Sequence, residues 1–175
     1  MIPLVVRIYN QAALNIYILI NNSNCIPPRR RKEQTMHPDL EKAKSALKSE
    51  NCTCVLALGN VIFRSSESGL KPLMDWMYSG NNYMGFMVAD KIVGRAAAFI
   101  IIAMGIREVY AEVISEPAKK LLENNQISVT AETVVPEILN ADKTDVYPLD
   151  KAVEGIENAA DALMTIELAI VRMNL

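Results

Sequence analysis

Histidine is almost missing from this sequence of 175 residues: there is one, His37, beside three cysteines, Cys25, Cys52 and Cys54. A zinc site takes about four N, S or O ligands. Cys52 and Cys54, in a strand-like stretch, are read as pointing to opposite faces, so they are not expected to meet on one metal. No metal is expected, and the thiols read as buried or half-buried and reduced, as in a cytoplasmic protein. A phosphate loop, a dinucleotide-binding glycine pattern and the Ser-His-Asp and Cys-His nucleophile sets are also lacking, so no cofactor is expected. Charge of one sign is lacking too: 18 basic residues stand against 20 acidic ones, with a formal net charge of −2 and a pI near 5.5. That balance leaves no electrostatic footprint for nucleic acid. Long apolar runs are in short supply as well. The stretch "AAAFIIIAMGI", Ala96 to Ile106, is uncharged but bracketed by Arg95 and Arg107, and a bilayer needs about 18 to 20 apolar residues. No membrane segment is expected in residues 36–175; this run reads as a helix buried nearly all round, with a small-residue face for close packing.

The apolar fraction of 51% and charged fraction of 22% fit one globular domain. Residues 1–35 stand apart. "MIPLVVRIYNQAALNIYILI" is apolar but broken by Arg7, Asn10, Gln11 and Asn15, with neither the basic start nor the cleavage site of a signal peptide. Two readings stand for it: a weak amphipathic anchor followed by the basic run Arg29 to Lys32, or a disordered tail or upstream sequence with translation beginning at Met36.

From Met36 the pattern is regular. "PDLEKAKSALKSEN" sets Leu40, Ala43 and Leu47 on one helical face. "CTCVLAL" and "VIFRS", joined by Gly59-Asn60, predict a β-hairpin. "GLKPLMDWMYSG" predicts a helix with Leu70, Leu73, Met74 and Met77 along one side, and "YMGFMVA" a third strand leading straight into the apolar helix. "EVYAEVI" and "ISVTAE" predict two more strands around a helix, "SEPAKKLLENN", N-capped by Ser115 with Pro117 in its first turn. The remainder, "VVPEILN" and "PLDKAVEGIENAADALMTIELAIVRMNL", reads as helical with a break near Gly155 to Asn158. The expected fold is α/β: a three-layer α/β/α sandwich around a mixed five-stranded sheet, parallel in its later strands.

From about Asn51 to Ala162, "NCTCVLAL", "GLKPLMDWM", "VADKIVGRAAAFI", "EVYAEVISEPAKKLLE" and "VVPEILNADKTD" resemble the uncharacterised domain family DUF1893. The resemblance implies a variant of the cytidine-deaminase-like fold for residues 36–175, with no established activity. Zinc deaminases place a His or Cys with a catalytic Glu at one helix start and Pro-Cys-x-x-Cys at the next. Set against that pattern, "VADKIVG" offers Asp90 and Lys91, and "SEPAKKLL" keeps Pro117 but has Ala118 and Leu121 in place of the cysteines. Without the metal, the water that deaminates is not activated, so standard hydrolytic deamination is not expected.

Helix N-termini facing a crevice nevertheless present N–H groups and positive dipole ends. One reading makes Lys91 and Arg95, four apart on one helical face, hold an anionic or nucleotide-like small ligand with the backbone at Asp90, Gly94 allowing close approach. The plainer reading makes Asp90 the N-cap, Lys91 solvated, Gly94 a packing contact and Arg95 the partner of a carboxylate. Ser66 (with Ser65) and Lys71 are expected at the rim, Ser115 and Glu116 beside it, and Tyr147 within reach; Glu116 is the one candidate acid/base. Three functions are consistent with these residues: a metal-free binder of a small anionic molecule; an enzyme of other chemistry using Lys91, Arg95 and Glu116; or a homo-oligomerising module working through the Met-rich helix or the long C-terminal helix.

Overall fold

The computed structural model describes residues 36–173; the two readings of residues 1–35 lie outside them. The order is α1 (Pro38–Ser49), β1 (Cys54–Leu58), β2 (Val61–Ser65), α2 (Lys71–Tyr78), β3 (Met87–Val93), α3 (Arg95–Ala103), β4 (Glu108–Ser115), α4 (Glu116–Asn124), β5 (Ser128–Val135), α5 (Pro148–Ala152) and α6 (Ala159–Met173). One mixed sheet of five strands runs β2-β1-β3-β4-β5. β1 is antiparallel to β2 and to β3, and β3, β4 and β5 are mutually parallel. The hairpin between β1 and β2 turns at Gly59, whose φ of 57° favours glycine.

The sheet separates two cores, because successive strand residues face opposite ways. Cys54 and Leu56 face the larger core with α2, α3, α4 and α6; Cys52, Val55 and Ala57 face a smaller one under α1. Cys52 and Cys54 lie on opposite sides because Cys52 precedes β1 and stands outside its alternation, residues two apart within a strand sharing a face; both are buried. α1 covers its face through Leu40, Ala43, Ala46 and Leu47, the buried leucines contributing roughly 1.5–3 kcal/mol each. On the other side, Ala96 to Ile101 of α3 are all buried. Among the described residues, no helix is long and apolar enough to cross a membrane.

Two boundaries differ from the sequence reading. "VVPEILN" is not helical: Val134 and Val135 finish β5, which pairs with β4 through Ser115↔Val135. Pro136 ends that pairing, since it has no N–H to give, and Leu139 bridges Val146 across the adjoining loop. The third strand also starts later and runs further than "YMGFMVA". Ile92 and Val93 pair with Val113 and Ile114, because β-branched residues suit the sheet, and the helix begins only at Arg95. The alternation slips along these two strands: Val88 and Val93, an odd number of residues apart, both face the larger core, and so do Ala111 and Ile114. The slip falls at Lys91 and Glu112, which is where a β-bulge would redirect side chains.

Candidate functional site

The parallel strands β3, β4 and β5 end at Val93, Ser115 and Val135. In open α/β sheets, ligands bind in the crevice just beyond such carboxyl ends. Gly94–Arg95, Glu116–Pro117 and Pro136 occupy that position here. Between them opens a cleft of about 700 Å³, lined by Arg95, Glu116, Pro117, Lys120, Leu121, Asn124, Asn125, Pro136 and Glu157. Arg95 and Glu116 therefore meet, as the sequence reading expects. Lys120 joins them one helical turn beyond Glu116.

Arg95 is half-buried and firmly placed. Its Nε donates to the Val153 carbonyl at 3.2 Å, its Nη2 donates to the Ile156 carbonyl, and its guanidinium lies 5.4 Å from the Phe99 ring centroid. These bonds use part of a five-donor fork, and the remaining N–H groups have no hydrogen-bond partner among the described residues. The expected carboxylate partner takes another form. Asp150, 7% exposed, directs Oδ1 at the N–H of Ala96 at 2.9 Å. It thereby caps α3 from 54 residues away, where the cap residue Gly94 has no side chain to do so. Burial raises the Asp150 pKa, while the N–H groups of Ala96 and Arg95 and the Arg95 charge pull it back.

Gly94 does allow a close approach, but to Asp150. A Cβ there would stand 2.1 Å from Asp150 Oδ2. The positive end of α3, read from the sequence as an anion site, is filled by the protein's own carboxylate. Tyr147, at the N-cap of α5, approaches the start of α2 in the same manner: a Cβ on Gly69 would lie 3.2 Å from its hydroxyl.

The other expected residues are scattered. Asp90 is a strand residue, not a helix cap; it is buried, and its Oδ1 accepts the Ile92 N–H at 3.0 Å. It sits directly across from Cys54, whose thiol lies beside it. Burial lifts the Asp90 carboxyl to about 6, against the lowering effect of the Cys54 thiol and the Ile92 and Lys91 N–H groups. Burial also pushes the Cys54 thiol well up. Lys91 shares no helical face with Arg95, because it lies in β3, its N–H donating to the Thr53 carbonyl at 3.0 Å. Its side chain lines a second, more open groove of about 640 Å³ with Lys48, Glu50 and Glu112 at the end of α1. Ser115 is the N-cap of α4, accepting the Ala118 N–H at 3.3 Å. Ser66 is exposed and lines neither cavity. Lys71 is exposed and paired with Asp75 at 2.7 Å.

Sequence reasoning missed Asp150, Lys120 and Tyr110. Tyr110 is 1% exposed under α1, with Lys44 Nζ 4.8 Å and Lys48 Nζ 5.8 Å from its ring centroid, and its hydroxyl lies beside the Lys48–Glu132 pair without a well-formed hydrogen bond among the described residues. Asp150 carries no local signal, since its role depends on a residue far away in the chain. Lys120 has one: it stands four residues after Glu116, the i, i+4 spacing that puts two side chains on one helical face. Among the described residues, no three His, Cys, Asp or Glu side chains gather as a metal would require.

The family model described as a domain of unknown function, DUF1893, matches residues 42–170. Among solved structures, a DUF1893 family protein from Thermotoga maritima is similar, with 26% sequence identity and a TM-score of 0.69 over 82% of this chain and 97% of that one. No curated protein matches. With the family model spanning most of the chain and the fold shared, this protein belongs to the DUF1893 family of domains of unknown function.

Proposed function

We propose that the protein is a small-molecule-binding domain, a DUF1893 variant of the deaminase-like fold, that holds an anionic ligand without a metal in the cleft beyond β3, β4 and β5. The observation that carries this reading is the pairing of Arg95 with Lys120 at one cleft. Arg95 is anchored by two backbone carbonyls, so part of its fork is held in place, and a positioned guanidinium recognises carboxylate or phosphate in two-point fashion. Lys120 adds a mobile charge. Glu116 and Glu157 line the same cleft, which favours a ligand that offers hydroxyl or amino groups beside its anion, as a nucleotide-like molecule does. Leu121 and the two prolines supply apolar wall.

Lys91 takes no part in this reading, because it lines the other groove. Titration with inorganic phosphate and a nucleoside monophosphate as probes separates the two placements. Lys120→Glu is expected to weaken the tighter probe about tenfold or more, as loss and reversal of a charge contact does, whereas Lys91→Ala is expected to leave it unchanged. Weakening by Lys91→Ala with no effect of Lys120→Glu would move the site to the α1 groove. Glu116 serves here as a ligand contact rather than as an acid/base.

A further inference from the structure

The outward face of α6 is apolar where a solvent-facing helix is ordinarily polar. Met164, Leu168 and Val171 recur at i, i+4 and i+7 and are 59%, 55% and 77% exposed. The inner face is already used: Ala162, Leu163, Ile166 and Ala169 are buried in the larger core, and Glu167 on the flank accepts the Tyr78 hydroxyl. The stripe thus has no partner among the described residues, and three large apolar side chains in a row mark an interaction surface.

The charges at its ends indicate what covers it. Asp161 stands at the N-terminal end of the stripe and Arg172 at the C-terminal end, both exposed. With an advance of about 100° per residue, the two lie on the same flank of the stripe. Packing α6 on a second, antiparallel α6 brings same flanks together. The two-fold axis then falls near residue 167, which sets Leu168 beside its own copy and brings Met164 and Asp161 each within about one residue of the level of the other copy's Val171 and Arg172. A parallel arrangement puts these flanks on opposite sides of the seam and forms no such pair. We infer that the chain forms an isologous homodimer through antiparallel packing of α6, with Leu168 beside the axis and Asp161–Arg172 pairs at the ends.

The full-length chain tests this in two ways. Light scattering after size exclusion is expected to give the dimer mass for the wild type and a shift to monomer for Leu168→Glu, a weakening of about tenfold or more, with circular dichroism showing that the variant stays folded. In a Cys25→Ser background, Leu168→Cys is expected to form an interchain disulfide under mild oxidation, since a residue beside the axis lies close to its own copy, whereas Lys120→Cys forms none. A wild type that is monomeric at every concentration overturns the dimer. So does a dimer that survives Leu168→Glu while Leu168→Cys fails to cross-link, because its interface then lies elsewhere.

Discussion

Asp90 carries its charge in a place that opposes it. The carboxyl is buried beside the Cys54 thiol, with the N–H groups of Ile92 and Lys91 in partial compensation and Glu112 adding repulsion, and its pKa rises from an ordinary 3.8 to about 6. The folded state therefore binds the proton more tightly than the unfolded chain does. Between about pH 4 and pH 6 the folded form holds more protons, so stability falls as pH rises through that window, and the cost is fully present above it. The span corresponds to roughly 3 kcal/mol. Asp90→Asn keeps an oxygen for the Ile92 N–H and removes the titration. It is expected to be more stable than the wild type at pH 7.5 by about 1–3 kcal/mol and to show a flatter stability profile between pH 4 and 6 in urea unfolding. Equal stability at pH 7.5 would mean that the charged form of Asp90 is fully compensated in the fold.

At the scale of elements, the junction of β3 and α3 is closed by the protein's own Asp150. The extended backbone at Gly94, φ −93° and ψ −179°, is open to any residue, so glycine is needed there only for space. Gly94→Ala drives a methyl into Asp150 and is expected to cost about 2–3 kcal/mol, the value of a charge-assisted bond plus the burial of its orphaned N–H. Combined with Asp150→Ala, it should cost much less than the sum of the two, because both act on one contact; additivity in thermal or urea melts would contradict the plug. This junction also shows where the sequence stops being legible. The periodicities of α1, β1, β2, β4 and α4, the Ser115 cap and the break before α6 are readable because each is set by neighbours a few residues away. The start of α3 is not, because Ile92 and Val93 favour the sheet once β4 is alongside, and β4 comes later in the chain. Pro136 stops β5 from continuing into a helix, yet "VVPEILN" has an apolar pattern that reads either way. Arg95 and Glu116 can be named from the sequence since each opens a helix; Lys91 joins them only if that helix is begun four residues too early.

At the scale of the whole molecule, the cleft beyond the parallel strands and the apolar stripe of α6 share no side chain, so the proposed ligand and the proposed second copy would not compete. Native mass spectrometry of the chain, set against its denatured mass, tests whether the cleft holds a ligand. An added mass of metabolite size is expected, lost on denaturation and lost from Lys120→Glu but retained by Lys91→Ala. An added mass of one zinc ion would contradict the metal-free site, and a bare wild-type chain that also fails to take up phosphate or a nucleoside monophosphate would contradict the binding function.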